Sequence, residues 1–327
     1  MNTAPFTVGI IGLGRIACGL DRPDGPEAHT HLKACLADGR FHIVALSDVD
    51  IDHAHSVAKI WVPDAEVIPP DDFVRRRFDA VCVATPDETH ASILEALAHT
   101  TPSVVMCEKP LAGSAREAEA VVARLEAQKV AVAVNHSRRF APGVGDWLAR
   151  ARSGEFGKPI SGRLRYTRGL RHNGVHGFDL ISACLPGGIV CGKRMNGRIA
   201  DFSADDPTVS GLVVLSAPHG DVPLWIDGID GRMLTAFEVE ILFEKGRLVA
   251  EDCDGTTVRT DVPTPLPAPF APELRTDTIY RDHPARLMTF AWRNLGDHLE
   301  RGADLVCSGR EAVRTLAFVE EVVRCLA

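Results

Sequence analysis

Three groups of residues in this chain have the types and spacing to hold a charged cofactor and to move a proton. They are Gly12-Leu13-Gly14-Arg15-Ile16-Ala17, the pair Asp48 and Asp50, and Glu108-Lys109-Pro110. In the first, Gly12 allows a sharp turn, and Gly14 removes the Cβ that would keep a pyrophosphate off the backbone. Ala17 is the third small residue, where a helix packs on a strand. The N–H groups of the helix start beyond the turn are expected to face the phosphates. Asp48, at the end of the second apolar run, suits the hydroxyls of an adenosine ribose. With Asp50 it supplies two negative charges and no base. A 2'-phosphate beside Asp48 would cost on the order of several kcal/mol, so NAD is favoured over NADP. Capping of the next helix is the alternative use of Asp48. Lys109 brings an ammonium to a strand end, and Pro110 can fix the turn that holds it.

These residues need a parallel sheet to position them. Apolar runs of strand length recur at residues 6–11, 42–46, 80–84, 104–106 and 130–134, with helix-length segments at 52–61, 88–99 and 114–128 between them. Strands that are apolar on both faces and alternate with helices predict a doubly wound parallel sheet. Ser114 with Glu117 three residues on reads as a capping box. Thr85-Pro86 and Glu108-Lys109 then leave strands at the carboxyl edge, where open α/β sheets bind ligands. The stretch from Gly14 to Asp48 is longer than the about 20 residues usual for this fold. Residues 20–27, with two prolines and a glycine, account for the excess as a loop beside the cofactor helix.

Beyond about residue 140 the pattern becomes strand after strand, at 160–168, 208–216, 222–229, 235–243 and 246–250. This predicts a mainly antiparallel sheet in an α+β domain. Residues 263–272 read as a proline-rich loop or arm, and 284–301 and 309–326 as closing helices. The expected division is a nucleotide-binding domain over residues 1–137 and a second domain over 138–327.

The 327 residues are 45% hydrophobic and 24% charged, as in a globular protein, and no apolar run reaches membrane-spanning length. A net charge of −8 and a pI near 5.9 would repel a nucleic-acid backbone. The first seven residues lack the basic start and apolar core of a signal peptide, so the cytoplasm is the expected location. Nine cysteines without a C-x-x-C pair fit a reducing compartment better than disulfides or zinc. Most are expected to be small buried hydrophobes.

Gly12-Leu13-Gly14-Arg15-Ile16, Thr85-Pro86 with His90, Glu108-Lys109-Pro110-Leu111, and Asn135 with Arg138-Arg139-Phe140 resemble the glucose-fructose oxidoreductase, inositol dehydrogenase and rhizopine catabolism (Gfo/Idh/MocA) family. The resemblance implies a Rossmann domain followed by an α+β domain with an open-faced sheet, a nicotinamide cofactor and a sugar-like small-molecule substrate. It also implies a homodimer or homotetramer formed through the open sheet face. Cofactor contacts are then expected from Gly12, Leu13, Gly14, Arg15, Ile16, Asp48, Thr85, Pro86, His90, Glu108 and Lys109. Relatives usually carry an aspartate and, four residues later, a histidine. Here His176 falls on the histidine, Asp179 fits the acidic residue that often follows it, and His172 occupies the place of the aspartate.

On this reading Lys109 and His176 share the reactive hydroxyl. Lys109 supplies positive charge near the oxygen, and His176, an imidazole able to accept a proton at neutral pH, is the general base. If the segment is helical, His172 shares a face with His176 and can orient it or bind a neighbouring hydroxyl, but it offers no compensating charge. Arg138, Arg139, Tyr166, His172 and Asn173 complete the expected substrate contacts, with ion pairing as the alternative for the arginines. A His-x-x-x-His metal site is not expected, because no Glu lies inside the pair. The expected function is an NAD(P)-dependent oxidoreductase acting on a secondary hydroxyl or ketone of a sugar, cyclitol or nucleotide-sugar. The rivals are a non-catalytic NAD(P)-binding sensor, for which the His172 departure argues, and an NAD-dependent glycoside hydrolase.

Overall fold

In the computed structural model, which describes residues 4–218, 220–251 and 256–326, the chain forms two compact units. The first comprises residues up to Phe140 together with Pro284–Val313, and the second Ala141–His283 together with residues from Arg314 on. Cys253 and residues 1–3, used above for cysteine usage and the chain start, lie outside the described residues.

The first unit contains β1 (Phe6–Ile11), β2 (Phe41–Ser47), β3 (Glu66–Val67), β4 (Ala80–Val83), β5 (Val104–Cys107) and β6 (Ala131–Val134). They form one parallel sheet in the order β3-β2-β1-β4-β5-β6. The order reverses between β1 and β4, which makes the crevice beyond their carboxyl ends a topological switch point. Around the sheet run α1 (His31–Ala37), α2 (Ile51–Trp61), α3 (Pro70–Phe73), α4 (His90–Leu97), α5 (Ala115–Ala127) and, from the far end of the chain, α8 (Leu287–Arg301). Ser114 caps α5 by accepting the Glu117 N–H at 3.2 Å, while Glu117 reaches back to the Gly113 N–H at 3.0 Å. The cap of α2 is Asp50, whose carboxylate accepts the His53 N–H at 2.9 Å.

Two features differ from the linear reading of the sequence. The helix after the glycine turn is a single five-residue π-helical stretch, Arg15–Gly19, and the next helix starts only at His31. The prolines at 23 and 26 cannot continue a helix. The intervening loop is built instead on Asp21, which accepts the Thr30 N–H and hydroxyl at 2.8 and 2.6 Å, and on Lys33, which donates to the Arg22 carbonyl. Second, α8 packs on the first unit through its apolar stripe Leu287, Met288, Ala291, Trp292 and Leu295, all buried. Trp292 stands edge-on to Phe41 and His31, and Arg40 pairs with Asp297 at 2.8 Å.

The second unit has α6 (Pro142–Arg152), α7 (Val175–Cys184) and most of α9 (Gly309–Leu326) against one eight-stranded sheet. Its strands are β7 (Pro159–Tyr166), β8 (Gly188–Arg194), β9 (Gly211–Ala217), β10 (Gly220–Gly228), β11 (Phe237–Phe243), β12 (Gly246–Glu251), β13 (Thr257–Thr264) and β14 (Glu273–Arg281). Only β7 and β10 pair in parallel; every other pairing is antiparallel. The helices cover one face, where Gly177 of α7 lies on Leu164 and Phe178 meets Phe318. The other face carries the cross-strand row Trp225, Arg163, Glu240, Val249, Arg259 and Ile279. Residues 263–272, expected as one loop, are partly strand: Pro263 pairs with Leu274 beside the edge strand, where a missing N–H is tolerated. Of the eight described cysteines six are buried, and none is in a disulfide with another described cysteine.

Gly12 sits at φ +86° where β1 ends, and a Cβ there would lie 2.6 Å from the Ala84–Thr85 backbone. Gly12→Ala is therefore expected to destabilise the protein by about 1–3 kcal/mol in urea unfolding. An unchanged midpoint would show that the β1–β4 junction is looser than described.

Candidate active site

In the first unit, a groove of about 710 Å³ opens at the carboxyl edge of the sheet, lined by Gly12, Gly14, Asp48, Thr85, Pro86 and Ile93 among others. Its size falls in the range of small-molecule sites. A Cβ on Gly14 would meet nothing within 4 Å, so the chain offers bare backbone to that groove. This fits a dinucleotide, whose pyrophosphate must approach the main chain closely. Asp48 accepts the Leu13 N–H at 2.7 Å through one oxygen and the Asp50 N–H at 3.0 Å through the other. It thus ties the end of β2 to the glycine turn while lining the groove. The helix-capping role considered for it belongs to Asp50.

Lys109 follows β5 and is half-buried. The residue before it is anchored: the Glu108 N–H donates to Val83 at 2.9 Å, and its carboxylate Oε1 accepts from Asn135 Nδ2 at 2.6 Å. His31 Nε2 lies 2.9 Å from the same oxygen, and the Lys109 N–H donates to Oε2 at 3.2 Å. His31 is fully buried and Glu108 is 8% exposed. Burial pushes the His31 imidazole down, but the Cys82 thiol and Glu108 beside it prevail and raise it to about 10. Burial would raise the Glu108 carboxyl, yet the bond to His31 and its charge outweigh that and hold it below the ordinary carboxylate range. The two side chains face each other inside the domain, the His31 ring against the Glu108 carboxylate. On the far side of Lys109, the buried His90 places Nδ1 2.7 Å from the Pro110 carbonyl and Nε2 2.9 Å from that of Thr85.

In the second unit, His172 lies in a six-residue π-helical turn, Gly169–Gly174, and His176 is the second residue of α7. The His172 ring stacks on Phe202 at 3.8 Å. Two carboxylates from a downstream segment hold the turn. Asp206 accepts the N–H groups of Arg171 and His172, each at 2.8 Å. Asp201 accepts the Arg168 N–H at 2.7 Å, the Gly231 N–H at 2.8 Å and the Thr208 hydroxyl at 2.6 Å. Burial opposes the charge on Asp201, but these bonds keep its carboxyl below the usual range. Asn173 donates to the Thr167 carbonyl at 3.0 Å, closing the same turn.

Several expected ligand contacts prove to be internal supports. Tyr166 is fully buried, its hydroxyl donating to the Val209 carbonyl at 3.0 Å and accepting the Val209 N–H at 2.9 Å, so it is not a substrate contact. Arg139 is 2% exposed and donates to Glu311 and the Val306 carbonyl, which removes it from the substrate list in favour of the ion pair. His90, with both ring nitrogens turned to carbonyls, supports the crevice and does not reach into it. The Glu108 side chain is likewise turned inward, which leaves only its backbone to meet a cofactor. Asp179 is buried and accepts the Thr315 hydroxyl at 3.0 Å. Arg138 is half-buried on the turn Ser137–Phe140. His31, Asp201 and Asp206 were not singled out from the sequence. Each acts across 30 or more residues of chain, and no local pattern marks such a partner.

A Rossmann domain with a dinucleotide crevice and a lysine at its edge, joined to a mixed sheet, defines the class. Residues 6–136 match the family model described as "Oxidoreductase family, NAD-binding Rossmann fold". The chain is 33% identical over 154 residues to inositol 2-dehydrogenase of Gluconacetobacter diazotrophicus, covering 46% of this chain and 42% of that protein. It is 31% identical over 243 residues to inositol 2-dehydrogenase 1 of Saccharopolyspora erythraea, covering 65% and 68%. The WlbA dehydrogenase from Bordetella pertussis, solved in complex with NADH and UDP-GlcNAcA, shares the fold with a TM-score of 0.73 at 18% identity, over 98% of this chain and 96% of that one. The chain belongs to the Gfo/Idh/MocA oxidoreductase family, and residues 6–136 are its NAD-binding domain. Its match spans less than half of the Gluconacetobacter protein.

The His31–Glu108 pair makes stability depend on pH. The folded value of His31 lies above the ordinary 6.5, so its contribution is complete below pH 6.5 and is lost as pH rises toward about 10. Glu108 contributes above the ordinary carboxylate value and loses that contribution as pH falls. Urea unfolding of the wild type should weaken from pH 6.5 to 10, and His31→Gln should flatten that slope; equal slopes would contradict the pairing. Tyr166→Phe should cost about 1–3 kcal/mol of stability, because the Val209 groups lose their buried partner; no loss would contradict its structural role.

Proposed function

We propose that this protein is an NAD-dependent dehydrogenase that moves a hydride between nicotinamide and a secondary hydroxyl or ketone of a cyclitol, sugar or nucleotide-sugar. The observation that carries the reading is Lys109, set at the carboxyl edge of β5 and braced on both sides by buried side chains. That similar proteins are inositol 2-dehydrogenases supports a cyclitol or ring sugar among the candidates.

NAD, when bound, would supply the acceptor for the hydride of the carbinol carbon. The turn at Gly12 and Gly14 would hold its pyrophosphate and Asp48 its adenosine ribose. Lys109 donates a hydrogen bond from Nζ to the reacting oxygen and stabilises the negative charge that develops there as the proton leaves. His176 takes that hydroxyl proton on a ring nitrogen, and returns it in the reductive direction. His172, clamped through its own N–H by Asp206 and stacked on Phe202, binds a neighbouring hydroxyl of the substrate. It does not replace an aspartate, since a neutral ring supplies no compensating charge. Copies of the chain associate through the open sheet face, on which Trp225 is 48% and Ile279 40% exposed.

Lys109→Ala should lower turnover by roughly 10²–10⁴-fold while leaving the Kd for NADH within about threefold. Fluorescence titration of NADH and absorbance at the nicotinamide band with a cyclitol and sugar panel check both. Undiminished turnover in the variant would overturn the assignment.

A further inference from the structure

We propose that His31 and Asn135 are positioning residues for Lys109, acting through the Glu108 carboxylate; this rests on the role given to Lys109 above. Glu108 and Lys109 are adjacent in sequence and opposite in charge, at the point where β5 ends. A buried carboxylate must find hydrogen-bond donors, because one left without partners is strongly destabilising. Lys109 lies within its field.

The structure supplies other partners. His31, from α1, and Asn135, following β6, both engage Oε1 of Glu108 at 2.9 and 2.6 Å. Oε2 is then turned to the peptide N–H of Lys109 at 3.2 Å. One carboxylate thereby fixes the backbone of the lysine while its charge is met from behind. Water is kept out by α8: Trp292 stands edge-on to His31 at 6.3 Å between ring centres, and Met288 Sδ lies 3.6 Å from Asn135 Nδ2. The neighbouring strand is braced in the same way, since the Asn135 N–H donates to the Cys107 carbonyl at 2.8 Å. His31 and Asn135 are both buried and act on the position and charge environment of Lys109.

The test uses the NAD-loaded protein and two readouts. The first is the rate at which trinitrobenzenesulfonate labels Lys109, resolved by peptide mass spectrometry, with the other lysines as internal references. His31→Leu should change the Lys109 rate by about threefold or more and leave the reference lysines unchanged, and His31→Gln, which keeps a donor toward Glu108, should restore it. If His31→Leu does not fold, Glu108→Gln should give the same change, because its amide nitrogen cannot accept the Lys109 N–H. The second is single-turnover reduction of NAD with myo-inositol as the probe. His31→Leu should slow it about tenfold or more with NADH affinity retained, and His31→Gln should recover most of the rate. A purely structural role would lower stability and leave the Lys109 labelling rate where it was. Unchanged labelling in His31→Leu and Glu108→Gln overturns the proposal. A wild type inert toward the whole cyclitol and sugar panel, with labelling shifted as expected, would instead overturn the functional reading and leave the positioning intact.

Discussion

The constraint on which the nucleotide-binding unit turns is a carboxylate buried at the end of a parallel strand. Glu108 can stay charged there only if positive charge and hydrogen-bond donors reach it from within the fold. Its partners come from three distant parts of the chain: His31 after the long loop, Asn135 at the end of the next strand, and α8 as a cover. Asp21 and Lys33 organise the loop between Gly19 and His31, so the segment that lengthens the first crossover also delivers the imidazole. Residues 284–313 return to this unit and set Trp292 against His31 and Met288 against Asn135.

The second unit also uses carboxylates to hold backbone. The turn before α7 contains Arg168 at φ +64° and Gly169 at φ +82°, backbone that needs outside support. Asp201 and Asp206 provide it by collecting N–H groups from residues 168, 171, 172 and 231. The His172 and His176 segment is therefore anchored by carboxylates that precede no recognisable motif. In both units a candidate site residue lies on backbone whose N–H groups a carboxylate accepts.

Much of the nucleotide-binding half was readable from residues alone, because its signals are local. The apolar runs, the Gly12–Gly14 spacing, the Ser114 cap and the carboxyl-edge placement of Thr85 and Glu108 depend on neighbours in sequence. What escaped depends on partners far apart. Tyr166 and Arg139 looked like ligand groups because a tyrosine or arginine beside a cleft carries no mark of an internal partner; Val209 and Glu311 are 43 and 172 residues away. Strands β8 and β14 lack apolar alternation because they lie at or near the sheet margins and are mostly exposed, so hydrophobic patterning had nothing to report. The two crossings between units were hidden for the same reason: α8 and α9 look alike as amphipathic helices, and their partners decide where each belongs.

The proposed function makes one chemical claim, that Lys109 and His176 serve the same oxygen as the hydride leaves. Single-turnover rates of NAD reduction in Lys109→Ala, His176→Ala and the double variant test it directly. Groups acting on one oxygen should lose their effects non-additively, with the double variant far less impaired than the product of the single losses. A double variant impaired by the full product would mean that the two side chains act independently, and the account would fail.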